Sequence, residues 1–468
     1  MAGVSAPWPP SGRVRIPERD DSYWAPEETM DPEERARVVF AKLRSQVRYC
    51  WERSPFYRRH WGTAGVFPET LRTLADLARF PLVTKDEIRA DQAEHPPFGS
   101  NVCCPREAIA HIHGTSGTTG RPTVFAISRD DWLRIAAAHA RIMWSFGVRP
   151  RDTVFVGSFF GLYIGSWGAL IGAEALRARA FPFGAGVSGQ TERALEHLDL
   201  IGPTVFYGTP SYALHLARVA REAGADPRAF GFRIMFFSGE PGAGIPATKR
   251  RIEETFGASC IDTGSMAEMT PWMTNAECSQ RTGMHLWEDI VYTEVVDPKT
   301  REPIEGDGEG VPVYTHLERT SQPMIRLFSG DLARVASEPC PCGRTYRRLP
   351  EGVYGRVDDM LVIRGVNVYP HVIEDALAGI PGVGPEYRIV VERPDELDVL
   401  ALEIESGDEA VAAAVRERIK AASGITPQVT VHPPDTLPTT EFKSRRVIDR
   451  RAVRQPEMIV DAATRREP

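Results

Sequence analysis

Apolar positions follow two different spacings along most of this chain. Residues 31–60 carry apolar side chains three or four positions apart, which predicts an amphipathic helix. After residue 150, short apolar runs such as TVFVGSFF and PTVFYGTP alternate with helical stretches such as TERALEHLDLIG and YALHLARVAREAG. Such alternation is typical of parallel sheets, which bind ligands beyond the carboxyl ends of their strands. We therefore predict an α/β fold in which parallel or mixed sheets are flanked by helices.

Two later changes of pattern divide the chain, whose 468 residues exceed the size of one core. Between about residues 285 and 335, short apolar runs broken by turn residues predict antiparallel strands. From residue 355 the pattern is that of a small α+β domain with two helices. We predict a large domain over residues 1–354 and a small domain over 355–468. Residues 1–30, rich in Pro and charge, are expected to wrap the surface with little structure.

The composition excludes several classes of partner. A formal charge of -7 and the absence of a long basic run offer no case for nucleic acid. No stretch approaches the roughly 20 apolar residues that span a bilayer, so we expect no membrane partner. The first residues lack the apolar core of a secretory signal, and we therefore expect a cytoplasmic protein.

The segment HIHGTSGTTGRP, residues 111–122, is rich in glycine and hydroxyl residues. Such a composition forms neither a good helix nor a central strand, so the segment is predicted to be a loop. Its backbone N–H groups and hydroxyls can cradle phosphate oxygens. A flexible surface linker has the same composition, and the segment alone leaves both interpretations open.

The seven cysteines are too few and odd in number for a disulfide framework. Four residues instead offer three thiolates and an imidazole, which fits a closed tetrahedral structural Zn²⁺. These residues are Cys278, His285, Cys340 and Cys342. A disulfide between Cys340 and Cys342 is implausible for geometric reasons. Unmetallated buried thiols are the alternative interpretation, and Cys260 is a possible substitute ligand.

A series of motifs then occurs in the order of one family. The segments are TSGTTGRPT, SGEPG, GSMAE, SGDLARV, GRVDD, RGVNVYP and LPTTEFKSRRVID. From about residue 30 to 450 the chain resembles the acyl-adenylate-forming ligases, most closely the phenylacetate-CoA ligase branch. The resemblance implies activation of a carboxylic acid by MgATP, pyrophosphate release from an acyl-AMP intermediate, and transfer of the acyl group to CoA. It implies ATP, Mg²⁺ and CoA as cofactors, an arylacetic or other aromatic acid as substrate, and a homodimer.

The resemblance also assigns a nucleotide site. The phosphate loop comprises Thr115, Ser116, Gly117, Thr118, Thr119, Gly120 and Arg121, before Pro122 and Thr123. The turn that flanks adenine comprises Ser238, Gly239, Glu240 and Pro241. Glu268 would hold Mg²⁺, and Asp331 would accept hydrogen bonds from both ribose hydroxyls. Before Glu268 stand Gly264, Ser265, Met266 and Ala267. The family has Tyr and a hydroxyl residue at the Gly264 and Ala267 positions, so adenine stacking is expected to be weaker or supplied elsewhere.

Three further assignments concern a small domain that rotates on a hinge. Asp358 would be the pivot, and Arg356 would contact the ribose or a phosphate. Gly365 would leave room for pantetheine in the thiol tunnel. Lys443 would stabilise the charge that develops between carboxylate and α-phosphate during adenylation. Rotation lets one site serve both reactions, with Lys443 presented first and the Gly365 loop second.

The acid pocket is assigned to the segment FFGLYIGSWGALIGAEAL and the stretch after it. Aromatic residues beside glycines can shape a slot for a flat apolar acid. The candidate lining residues are Phe160, Gly161, Tyr163 and Tyr207. Ordinary core packing is the alternative interpretation for each of them.

Two other functions stay open. The first is an adenylating enzyme that loads an aryl or amino acid onto a carrier protein's pantetheine or onto an amine. The second is a non-catalytic nucleotide-binding homologue, which only the departures in GSMAE support. Asp331, Asp358 and Lys443 weigh against that second function, because a binding protein has no need of them.

Overall fold

In the computed structural model, this chain forms two compact units. Unit 1 contains residues 1–358 with 441–444, and unit 2 contains residues 359–440 with 445–468. The described residues are 22–115, 122–185, 190–240, 242–264, 266–269, 273–357, 359, 361–364, 366–384, 386–394, 397–434, 436–437 and 446–451.

Helices dominate the start of unit 1. They are α1 (Pro32–Arg53), α2 (Pro55–Thr63) and α3 (Lys85–Glu94). Helix α1 begins where the Asp31 carboxylate accepts hydrogen bonds from two backbone N–H groups of the first turn, at 2.9 and 3.2 Å. The single helix predicted over residues 31–60 is wrong, because Pro55 lacks the N–H group that would continue it and starts a second helix.

A mixed sheet of eight strands forms the centre of unit 1. Its parallel strands are β3 (Thr153–Val156), β4 (Arg179–Phe181), β5 (Val205–Gly208), β6 (Ile234–Phe237) and β7 (Ser259–Gly264). Its antiparallel strands are β8 (Asn275–Glu277), β9 (Met284–Leu286) and β14 (Arg348–Leu349). The spatial order is β14-β9-β8-β7-β6-β5-β3-β4. The predicted α/β fold with mixed sheets is confirmed.

Helices cover both faces of this sheet. They are α4 (Arg129–Ser145), α5 (Ile164–Ala175), α6 (Gln190–Ile201), α7 (Pro210–Glu222) and α8 (Pro246–Phe256). Val154 packs in the cluster formed with α4 and α5, whereas its neighbour Phe155 packs with α6, α7 and α8. Alternate side chains of a strand point to opposite faces, so β3, β5 and β6 are buried throughout.

The other strands of unit 1 form a hairpin and a second sheet. The hairpin pairs β1 (Ile109–Gly114) with β2 (Val124–Ser128). The second sheet contains β10 (Val291–Val296), β11 (Gly308–His316), β12 (Leu327–Phe328), β13 (Asp331–Val335) and β15 (Val353–Arg356). All its neighbouring strands run antiparallel, so the pattern predicted between residues 285 and 335 is confirmed.

Unit 2 has the small α+β pattern. Its elements are β16 (Leu361–Ile363), β17 (Val366–Val368), α9 (Pro370–Ala378), β18 (Tyr387–Glu392), β19 (Val399–Glu405), α10 (Val411–Ser423), β20 (Gln428–His432) and β21 (Val447–Asp449). The last four strands form one sheet in the order β20-β19-β18-β21.

Among the described residues, every helix is too short or too polar to cross a bilayer.

Candidate active site

The predicted phosphate loop joins β1 to β2, whose antiparallel pairing brings its two ends together. The Thr115 N–H donates to the Thr123 carbonyl at 2.9 Å, and the Thr123 N–H donates to Thr115 Oγ1 at 3.2 Å. A Cβ atom at Gly114 would lie 2.5 Å from the Thr123 carbonyl oxygen, so this close approach requires glycine. The loop residues outside the described part of the chain are Ser116, Gly117, Thr118, Thr119, Gly120 and Arg121.

An aromatic layer that the sequence pattern did not predict lies along β1. The rings of His111 and Trp132 stack with centroids 3.8 Å apart, and His113 meets Trp167 edge-on at 6.0 Å. Burial lowers the pKa of His113 to about 4, so its ring is neutral at neutral pH. The repeated histidines of HIHG were the available signal, since the alternation places both rings on one face of β1.

Three hydroxyls converge at the carboxyl ends of β5 and β6. The Tyr207 and Ser238 oxygens lie 2.7 Å apart, and Tyr163 Oη lies 3.2 Å from Tyr207 Oη and 3.1 Å from Ser238 Oγ. We call these three residues the hydroxyl cluster. Burial raises the pKa of Tyr163 and of Tyr207, so both phenols keep their protons at neutral pH and can donate hydrogen bonds. Side chains predicted for the acid and for adenine therefore meet in one place.

The remaining predicted pocket residues, Phe160 and Gly161, both contact Trp167. Phe160 meets the Trp167 ring edge-on, with centroids 5.2 Å apart. Gly161 is exposed, and its carbonyl accepts a hydrogen bond from Trp167 Nε1 at 3.1 Å. A Cβ atom at Gly165 would contact the hydroxyls of both Tyr163 and Tyr207, so this glycine makes room for the cluster.

The turn after β6 is held by its acidic residue. Glu240 Oε1 accepts hydrogen bonds from the Ser211 N–H, at 2.7 Å, and from the Ser211 hydroxyl. Ser211 lies in the first turn of α7, where a carboxylate satisfies free N–H groups. Gly239 has a φ of +94°, and a Cβ atom there would lie 2.9 Å from Tyr163 Oη. The turn thus fixes Ser238 against the two tyrosines.

The structure explains why no aromatic residue occupies position 264. Gly264 pairs with Asn275 across β7 and β8, and a Cβ atom on Gly264 would overlap the Asn275 side-chain amide. Asn275 Nδ2 donates a hydrogen bond to Tyr314 Oη at 2.9 Å. Burial raises the pKa of Tyr314, and the Asp331 carboxylate raises it further. Gly264 therefore leaves room for a buried Asn275–Tyr314 pair, whose phenol lies near enough to the Asp331 carboxylate to have its pKa raised by it.

Glu268 and Met266 are both buried after β7. Glu268 Oε1 lies 3.7 Å from Lys85 Nζ, at the start of α3. A buried carboxylate needs a compensating charge, which Lys85 supplies and a divalent cation could share. Glu268 is therefore not an ordinary solvated glutamate, and its role as a Mg²⁺ ligand stays a prediction.

The predicted ribose and hinge residues pair with each other. Asp331 and Arg356 are register partners on β13 and β15, and Arg356 Nη1 donates to Asp331 Oδ1 at 2.8 Å. Such a pair fixes the carboxylate's direction without neutralising its ability to accept further hydrogen bonds from its lone pairs. The two motifs lie 25 residues apart in the chain, and neither contains a signal for this contact.

Comparison with known proteins decides the family. Residues 44–312 match the family model described as AMP-binding enzyme, and residues 365–451 match that described as AMP-binding enzyme C-terminal domain. The chain belongs to the AMP-binding enzyme family. The phenylacetate-coenzyme A ligase of Thermus thermophilus is 37% identical over 91% of this chain and 98% of that protein. The Escherichia coli phenylacetate-coenzyme A ligase is 32% identical over 92% of this chain and 98% of that protein.

A solved structure is also similar over nearly its full length. It is a 2-hydroxyisobutyryl-CoA ligase in the postadenylation state in complex with 2-HIB-AMP. That structure is 50% identical, covers 94% of each chain and has a TM-score of 0.89. The predicted family and enzyme class are confirmed. The first matched segment falls in unit 1, and the second falls in unit 2 except for residues 441–444.

Several predicted residues of this AMP-binding enzyme lie outside the described part of the chain. Besides the phosphate loop, they are Pro241, Ser265, Asp358, Gly365 and Lys443. Their roles stay predictions.

The predicted zinc residues come together away from the hydroxyl cluster's strands. Four possible ligand atoms lie within 4.8 Å of one another. They are the Sγ atoms of Cys278, Cys340 and Cys342 and a ring nitrogen of His285. We call these four residues the Cys/His cluster. Pairing of β9 with β14 places His285 beside the loop that carries Cys340 and Cys342. Cys260 instead packs in the core among α7 and α8 residues, outside this group.

Proposed function

We propose that this protein is an ATP-dependent, AMP-forming acid–CoA ligase. An acid carboxylate attacks the α-phosphate of ATP, pyrophosphate leaves, and the CoA thiol then attacks the acyl-AMP carbonyl and releases AMP. The observation that carries the proposal is the convergence of the hydroxyl cluster and the turns around Ser238 and Glu268 beyond adjacent parallel strands. Ligands of open α/β sheets bind at that edge.

The reaction divides among the predicted residues. Residues 115–121 would hold the β and γ phosphates, Asp331 would hold the ribose, and Glu268 would bind Mg²⁺, which neutralises phosphate charge. Unit 1 and unit 2 would act as the large and small domains, with Asp358 as the hinge. Lys443 would serve adenylation and Gly365 thioester formation. A cytoplasmic location and a homodimer are part of this proposal by resemblance.

Two classes of carboxylic acid are candidate substrates. Phenylacetate relatives support the predicted aromatic acid, which Phe160 and Trp167 could flank. The hydroxyl cluster favours a second candidate, a small 2-hydroxy acid, because its protonated phenols can donate to a substrate hydroxyl. The 50% identical 2-hydroxyisobutyryl-CoA ligase supports this candidate too. A pocket built to bind a hydroxyl discriminates strongly against acids that lack one.

The test is pyrophosphate release with MgATP across aromatic, arylacetic, 2-hydroxy, fatty and amino acids, each with and without CoA. Mass spectrometry would identify the thioester formed. Release with one acid class and formation of its CoA thioester supports the proposal and names the substrate. Adenylation without use of CoA would favour the carrier-protein or amine acceptor. ATP binding with no release across the panel would favour the non-catalytic homologue.

We also propose Zn²⁺ as a structural cofactor of the Cys/His cluster, with no part in the reaction. Three thiolates and one imidazole are soft ligands that suit a closed tetrahedral site. The four protein groups of the cluster would fill all four positions of a tetrahedral zinc, whereas a catalytic zinc keeps one position for water or substrate.

A further inference from the structure

The distances within the Cys/His cluster match a tetrahedral zinc. Zn–S bonds of about 2.3 Å at tetrahedral angles place two sulfurs about 3.8 Å apart. Cys278 Sγ and Cys340 Sγ are 3.8 Å apart, and Cys342 Sγ lies 3.4 Å from His285 Nε2. The backbone N–H groups of Gln280 and Arg344 point at two of the sulfurs, each at 3.4 Å. Such N–H groups stabilise thiolates that bind a metal.

The loop that carries two of these sulfurs also binds residues 22–30, which we call the N-terminal segment. Tyr23 Oη donates to the Cys342 carbonyl at 2.8 Å. Gly343 has a φ of +81°, and a Cβ atom there would contact the Tyr23 hydroxyl, so the approach requires glycine. Arg344 Nη2 donates to the Ser22 carbonyl at 2.7 Å.

A buried charge pair completes this attachment. The Glu28 side chain is fully buried and accepts a hydrogen bond from Arg344 Nε at 2.7 Å. Its other oxygen accepts from the backbone N–H groups of Trp24 and Ala25, at 2.9 and 3.0 Å. The prediction that residues 1–30 have little structure is therefore wrong for the described residues 22–30. Glu28 Oε1 also lies 3.4 Å from Nε of the buried Arg141, so two cations compensate the carboxylate and loss of Arg344 removes one of them.

We infer that zinc in the Cys/His cluster fastens the N-terminal segment to unit 1. The inference rests on the zinc of the proposed function. The metal fixes the loop from Cys340 to Cys342, and that loop fixes Arg344, which holds Glu28 and Ser22. Loss of the metal frees the loop and releases the segment, while the hydroxyl cluster keeps its own contacts.

The experiment uses the full chain, purified without metal affinity steps. Elemental analysis is expected to find about one zinc per chain. Hydrogen exchange is then measured on peptides that cover residues 22–30. Cys342→Ser is expected to lose zinc and to exchange about tenfold faster in these peptides, since local unfolding becomes easier. Cys104→Ser removes a thiol of similar exposure outside the cluster and is expected to change neither quantity.

Two further arms separate the possible failures. Tyr23→Phe is expected to keep its zinc while exchange of the segment accelerates, because only the bond to the Cys342 carbonyl is lost. If Cys342→Ser does not fold, zinc is removed from the folded wild type with a chelator and the same peptides are measured. A wild type without zinc overturns the metal site. Zinc that is lost while exchange stays unchanged overturns the fastening. Thioester formation by the wild type is assayed separately and tests only the ligase proposal.

Discussion

Replacing Gly264 by Ala is expected to destabilise unit 1, although the change adds only one methyl group. The new Cβ atom would overlap the Asn275 amide across β7 and β8. Asn275 must then turn away and lose its 2.9 Å hydrogen bond to the Tyr314 hydroxyl. Gly264 has no left-handed backbone angle, so the whole effect comes from this contact.

The magnitude follows from two costs. Leaving the buried Asn275 amide unpaired costs about 1–3 kcal/mol, and crowding in a packed interior costs a similar amount. Alanine also restricts the unfolded chain more than glycine does, which offsets at most about 1 kcal/mol of these costs. Gly264→Ala is therefore expected to lower the free energy of unfolding by about 1–5 kcal/mol.

The assay is a double-variant cycle. The free energy of unfolding of the wild type, both single variants and the double variant is measured by urea titration with tryptophan fluorescence as the signal. Asn275→Ala alone is expected to cost about 1–3 kcal/mol through the lost hydrogen bond. In that background the Gly264→Ala change is expected to be nearly neutral, because the obstacle has gone. Additive costs of the two changes would refute the reasoning, as would a Gly264→Ala cost below about 0.5 kcal/mol.

Three other outcomes are expected. Tyr163→Phe should reduce thioester formation from a 2-hydroxy acid about 2- to 13-fold and leave arylacetic acids unaffected, measured as kcat/KM. Lys443→Ala should slow acid-dependent pyrophosphate release about 100-fold or more, whereas Gly365→Leu should spare release and block the thioester. Burial, with the Glu277 carboxylate nearby, raises the pKa of Asp262 to about 7. The free energy of unfolding should therefore decrease as the pH rises from about 4 to about 7, where the folded state holds a proton that the unfolded state has lost. Asp262→Asn should flatten that fall in urea titrations.

The layered fold was predictable because its signal is local. Strands buried on both faces read as continuous apolar runs, and Val154 and Phe155 show why, since one faces each helical layer. The break at Pro55 was also a local signal, and the helical spacing on both sides concealed it.

The site was less predictable because its contacts join distant parts of the chain. Tyr163 precedes α5, Tyr207 lies on β5 and Ser238 follows β6, so their spacing cannot reveal that their hydroxyls meet. The composition predicted an apolar slot for the acid, whereas the structure brings the three hydroxyls of the hydroxyl cluster together at a predicted pocket residue, Tyr163. The Cys/His cluster was an exception, since ligand type and number suffice to propose a metal before any geometry is known.

The N-terminal contacts were hidden for the same reason. Glu28 looks like one charge in a solvated, Pro-rich stretch, yet its partner Arg344 lies 316 residues away. No local pattern distinguishes such a carboxylate from an exposed one.

Burial of Glu28 has a practical consequence for protein engineering. A shortened protein that starts at Asp31 would look safe, since it keeps helix α1 and the cap that begins it. It would, however, leave the Arg344 guanidinium buried without the carboxylate it binds. Truncations, affinity tags and fusion partners are therefore best placed ahead of Ser22, where they leave this charge pair intact.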